Sequence, residues 1–248
     1  MDIGIRGGAG LMRTSFDLVR HDRALLWFPF ASTLCLLATA GFWLFEGTWL
    51  HTVRGPGILF VPLVLLALYS LDFVGTFFSV ALAGAANAVL DGREPSFGDG
   101  LNVAWSRLGS IARWAGYSLC VSLALSFLQR SRRWIGTAAE IAWSFATFFV
   151  VPLIALEGMG AGDARRRSFE LARMNWQAET GGLGALQAVM FVPVVVFVAA
   201  YKLLESGRVH SHAAEALLVL VLLAGILLGI AADAVRQVFA VWLYRTAT

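Results

Sequence analysis

Long apolar blocks separated by short polar stretches run along this chain, and the blocks exceed what a soluble domain uses for its core helices. A helix crossing the hydrocarbon layer needs about 20 mostly apolar residues. Six stretches meet that requirement: Leu25–Phe45, Gly57–Phe78, Ile111–Leu128, Ile135–Leu156, Leu183–Leu203 and Ala213–Asp233. The second stays apolar to Leu90 and the sixth to Tyr244, which predicts helices that tilt or carry their last turns out of the bilayer.

Short amphipathic segments stand before the apolar pairs. Ser15-Phe16-Asp17-Leu18-Val19-Arg20 is matched at each position, by identity or close chemistry, by Ser168-Phe169-Glu170-Leu171-Ala172-Arg173, and Ala104-Trp105-Ser106-Arg107-Leu108 is a weaker relative. The second and sixth spans also align: Asp72-Phe73-Val74, Phe78, Val80 and Leu82 correspond to Asp233-Ala234-Val235, Phe239, Val241 and Leu243. A repeated unit of interfacial helix plus hairpin follows, each entering the membrane from the same side. The expected fold is an all-α polytopic bundle of six transmembrane helices in three hairpins, each preceded by a short cytoplasmic interfacial helix. It reads as one integral-membrane domain, 1–248: an amphipathic segment 1–24, a first hairpin 25–90, and interfacial helix plus hairpin over 91–157 and again over 158–248.

Composition strengthens this reading. The set AVILMFWYC makes up 58% of the residues and charged residues only 14%, with a mean hydropathy of +0.73; an ordinary soluble domain carries about 25% charged residues. The net charge of +3 is scattered between apolar blocks, unlike the patch of a nucleic-acid binder. Charge also sets orientation. With the N-terminus in the cytoplasm, thirteen arginines fall on that side, against Arg54, Arg130, Arg132, Arg133, Lys202 and Arg208 on the other. The positive-inside rule therefore puts both termini in the cytoplasm of a prokaryotic inner membrane. Ala38-Thr39-Ala40 has the form of a signal-peptidase site, but the apolar run continues past it to Trp49, so an uncleaved first helix is expected. Cys35 and Cys120 lie inside apolar stretches and are expected as buried, inert thiols.

Two halves of a pattern in this sequence resemble a known family. The first is Phe77–Trp114, with Ala81, Ala85, Gly92, Pro95, Asp99-Gly100-Leu101, Ala104 and Arg107. The second is Ala142–Pro152, followed by Glu157-Gly158 and Arg167-Ser168. Together they are similar to an uncharacterised prokaryotic family of multi-pass integral-membrane proteins, a domain of unknown function. The layout is distantly similar to the membrane domains attached to some bacterial glycerophosphodiesterases. The resemblance implies the topology and carries no activity with it.

Intramembrane ionisable residues are functional hypotheses by default. Asp72 and Asp233, placed at equivalent depths by the repeat, suit a transport or coupling site; the competing reading is that each caps a water-facing turn or pairs with an arginine such as Arg236. Glu140 joins this group, with Arg130, Arg132 or Arg133 as its expected partner. Glu157 is expected to anchor the basic helix through Arg165, Arg166 or Arg167. That helix, with Arg173 and the apolar Phe169, Ala172 and Trp176, suits contact with anionic phospholipid headgroups or a plain topology signal. Gly75, Ser79 and Ala83, and likewise Gly225 and Gly229, form small-residue ridges that predict close helix packing within the chain or in a homo-oligomer. Pro152 predicts a kink in the fourth span. His210, His212 and Glu215 fall within six residues, too few ligands for a zinc site. No metal, cofactor or catalytic motif is expected. A non-enzymatic scaffold or partner subunit, associating with itself or another membrane protein, stands first, and a small-solute transporter or channel second.

Overall fold

The computed structural model describes residues 5–54, 60–175 and 212–247, with isolated positions between 177 and 202. Among them every regular element is helical: α1 (Ile5–His21), α2 (Trp27–Arg54), α3 (Phe60–Leu90), α4 (Phe97–Ser106), α5 (Leu108–Ser131), α6 (Arg133–Ala146), the single turn α7 (Val150–Pro152), α8 (161–175) and α9 (His212–Ala247). Five described segments are long and apolar enough to cross a membrane: Ala24–Thr48, Phe60–Leu90, Leu108–Ser131, Arg133–Glu157 and Leu227–Thr246. The expected span at Leu183–Leu203 lies outside the described residues. At 1.5 Å per residue, the 31 residues of α3 extend about 46 Å and the 36 of α9 about 54 Å, against a hydrocarbon layer of about 30 Å.

The excess length has a use. The second half of α3, from Thr76 to Ala86, is buried, and so, among the described residues of α9, is the stretch from Ala232 to Tyr244. They share one core with Leu25 and Phe28 at the start of α2, Met12 and Val19 of α1, Ala104 of α4, Ile111 of α5, the segment Phe148–Ala155, and Leu171 of α8. The core thus sits at one end of the bundle, where the amphipathic helices α1, α4 and α8 gather. Away from it the spans turn bulky apolar side chains outward; Leu44 is 70% exposed and Phe127 75%. Such a surface is stable only against acyl chains, which makes lipid the solvent of this half. Cys35 and Cys120 belong to it. Both are exposed, not buried as their apolar surroundings suggest, because apolar flanks in a membrane helix are as compatible with lipid as with a core.

The segments Ser15–Arg20 and Ser168–Arg173 lie within α1 and α8 and their burial repeats, whereas the weaker relative Ala104–Leu108 straddles the break at Arg107 between α4 and α5. Ser15 and Ser168 are both fully buried, while Phe16 and Phe169 are both about half exposed. In the aligned spans, Val80 and Leu82 match Val241 and Leu243 as core residues. α3 ends in a Schellman arrangement: the Arg93 amide reaches the Ala88 carbonyl at 2.9 Å and the Gly92 amide that of Val89 at 2.9 Å. Gly92 holds φ 75°, where a side chain would be strained. Ser96 then caps α4, its hydroxyl accepting from the Asp99 amide at 3.4 Å.

Candidate functional site

The fourth span is interrupted rather than merely bent. α6 stops at Ala146, residues 147–149 form turns, and Val150–Pro152 leads into a π-helical turn, Leu153–Glu157. Proline lacks an amide hydrogen and its ring crowds the carbonyl four residues back. For Pro152 that carbonyl is Phe148's, inside the interruption. The Phe148 amide turns to the Phe145 oxygen at 3.2 Å and the Val150 amide to the Thr147 oxygen at 3.1 Å. Ser168, from α8, fills the gap: its hydroxyl accepts from the Phe149 amide at 3.1 Å and donates to the Ala146 carbonyl at 2.7 Å. The serine singled out by the repeat is therefore the residue that ties α8 to the broken span.

The two intramembrane aspartates have different neighbours. Asp72 has the Ser118 side chain of α5 beside it, and its Oδ2 is buried without a hydrogen-bond partner. Asp233 lines a cavity of about 380 Å³ between α2, α3 and α9, together with Ser32, Thr33, Gly75, Ser79 and Gly229. Arg236, three residues on, supplies the nearby positive charge. Asp72 does not line that cavity. The small residues Gly75, Ser79 and Gly229 line this space, and among the described residues a Cβ added at Gly75, Gly225 or Gly229 would meet nothing within 4 Å. Ala83 is buried in the core. Tight approaches fall at other glycines, among them Gly84 against Val103, Gly100 against Phe28 and the Ala81 carbonyl, and Gly158 against Arg107.

The glutamates also find other partners than expected. Glu140 accepts a hydrogen bond from the Gln129 side chain across the α5–α6 turn, and no ion pair links it to Arg130, Arg132 or Arg133. Glu157 accepts from the Tyr244 hydroxyl of α9, not from the basic helix. In α8, Arg167 pairs with Glu170 at 3.1 Å, Arg165 donates to the Tyr117 hydroxyl at 2.8 Å and lies over its ring, and Arg173 lies over the Phe169 ring. Arg166 is exposed. The reason is reach. Arg167 and Arg173 find partners on their own helix and Arg165 one on α5, while Tyr244 arrives at Glu157 from the far end of the sequence. His210 and Trp176 lie outside the described residues, and His212 and Glu215 fall in the first turns of α9.

One charged junction was not legible in the sequence. Asp91, just past the end of α3, bridges Arg93 at 3.0 Å and Arg245 of α9 at 2.7 Å. Asn87 lies alongside, its amide 3.3 Å from Asp91 and its oxygen 3.4 Å from the Arg245 guanidinium. The hydrogen bond from Arg93, reinforced by that from Arg245, holds the Asp91 carboxyl below the usual carboxylate range. Two contacts, Asp91–Arg245 and Glu157–Tyr244, thus fasten the end of α9 to α3 and to the π-helical turn.

No curated protein and no solved structure matches this chain. A family model does match, over residues 58–248, well beyond half of the chain. A membrane-type helical chain matched over that length belongs to DUF6159, a family of unknown function.

Proposed function

We propose that the chain is a non-enzymatic multi-pass protein of a prokaryotic cytoplasmic membrane, with both termini in the cytoplasm, acting as a scaffold or as a subunit that binds another membrane component. The observation that carries this reading is the fastening of helix ends. Asp91–Arg245, Glu157–Tyr244 and the Ser168 bridge close one end of the bundle over a continuous core. A packed, cross-tied end resists the rearrangement that alternating access requires and presents α1, α4 and α8 as a rigid surface. The excess of arginine at this end supports its cytoplasmic placement. Crosslinking in native membranes followed by mass spectrometry tests the reading: a stoichiometric partner, a second copy or another membrane protein, is expected. Proton-linked solute uptake by the purified protein in liposomes would overturn it.

A second reading, transport of a small solute, is favoured by one observation, the cavity that Asp233 lines with Ser32, Thr33 and Ser79. Under it, Asp233→Asn abolishes flux in the same liposomes while the protein remains folded, because Asn keeps the shape and loses the charge.

A further inference from the structure

A second cavity, also of about 380 Å³, opens beside the end of α3 and has a different character. Its floor is apolar, from Gly84, Ala88, Val103, Ala155 and Leu156, and its charged lining is Arg93, Glu94, Asp99 and Arg107. That volume falls at the lower end of the range for small-molecule sites, about 300–1,000 Å³. Arg107 is the informative residue. It sits between α4 and α5, its guanidinium pressed against the backbone of Gly158, where a Cβ would come within 2.4 Å of Cζ. Gly158 holds φ 67° and ends the π-helical turn, so backbone conformation and lack of side chain both serve the guanidinium's seat. Yet the Arg107 Nε is buried without a hydrogen-bond partner, and among the described residues no carboxylate lies within ion-pair distance of it. Arg107 nevertheless lines the cavity with no carboxylate paired to it, and a guanidinium so placed is matched by an anionic oxygen.

Charge bookkeeping narrows what that oxygen belongs to. Arg93 shares the Asp91 carboxylate with Arg245, whereas Glu94 and Asp99 form no ion pair among the described residues. A plain anion at Arg107 would face two unneutralised carboxylates, and a plain cation at Glu94 and Asp99 would face Arg107. A ligand carrying both charges meets each with its opposite. The cavity also lies beside the end of α3, a helix of membrane-spanning length. We propose that this cavity binds a small zwitterion of the phosphoethanolamine type, its phosphate on Arg107 and its ammonium toward Glu94 and Asp99. The site is independent of the scaffold reading.

The test uses the full chain in nanodiscs, with O-phosphoethanolamine as the soluble probe and phosphatidylethanolamine against phosphatidylglycerol as the lipid probe. O-Phosphoethanolamine, or phosphatidylethanolamine retained in native mass spectra, is expected to bind, and Arg107→Gln to weaken binding by about tenfold or more, as loss of a charged hydrogen bond does. Glu94→Gln, at the exposed rim and away from the core, is expected to weaken it similarly with unchanged thermal stability, which keeps the test open should Arg107→Gln fail to fold. Retention of the lipid with weak binding of the soluble probe identifies a headgroup site; the reverse identifies a free metabolite; either supports the zwitterion. Equal binding of inorganic phosphate, indifference to Glu94→Gln, or binding of neither probe overturns it.

Discussion

Ser168→Ala probes the joint between α8 and the broken span. The substitution removes one oxygen from a fully buried position and leaves two backbone groups, the Phe149 amide and the Ala146 carbonyl, without the partner that now lies at 3.1 and 2.7 Å. Neighbouring amides do not compensate, since Phe148 and Val150 already bond to Phe145 and Thr147. An orphaned buried polar group costs about 1–3 kcal/mol. Two of them, with some local relaxation, set the expected loss at about 3 kcal/mol. For a chain of this size that corresponds to a melting point lower by about 6–12 °C. Thr137→Ala is the control: its exposed hydroxyl reaches the Arg133 carbonyl at 3.0 Å, and its loss is expected to stay within about 0.5 kcal/mol. Thermal unfolding in detergent micelles gives the stability difference, and hydrogen exchange at the Phe149 amide locates it. A loss under about 1 kcal/mol for Ser168→Ala, with Phe149 exchanging as slowly as before, would refute the assignment of Ser168 as the bridge.

The Asp91 junction predicts a pH effect of defined sign. A carboxyl whose folded pKa is lowered stabilises above its ordinary 3.8 and loses that contribution as the pH falls through the folded value. NMR titration of Asp91 should give a midpoint under 3.8, raised most by Arg93→Gln and next by Arg245→Gln. Gly100→Ala places a methyl 2.5 Å from the Phe28 ring and 2.6 Å from the Ala81 carbonyl, and should cost about 1–3 kcal/mol by overpacking, read as a lower melting point; Gly75→Ala, which meets nothing, should be near neutral. Cysteines at Asn102 and Ser131, both exposed and at opposite ends of α4–α5, should react with impermeant thiol reagents from opposite faces of the membrane in a background lacking Cys35 and Cys120; labelling from one face would contradict a spanning α5.

The features legible in the sequence are those that depend on residues close together in the chain. Hydropathy sums along a segment, so the membrane-length helices at Ala24–Thr48, Phe60–Leu90, Leu108–Ser131 and Arg133–Glu157 follow from composition alone. The amphipathic helices α1 and α8 are equally local, and the Ser15/Ser168 correspondence was visible as a repeat. What a span turns toward lipid and what it turns toward protein was not legible. Lipid tails are as apolar as leucine, so within a membrane helix no polarity contrast marks the inner face. That is why Cys35 and Cys120 came out exposed and why a cavity lined by Gly75 and Ser79 was not anticipated. The partners of the charged groups were likewise decided by the fold. Glu157 meets Tyr244, Asp91 meets Arg245, and Arg107 meets the bare backbone of Gly158, because the extended halves of α3 and α9 bring remote stretches of chain to one end of the bundle. Spacing in sequence carries no information about which of them arrive together.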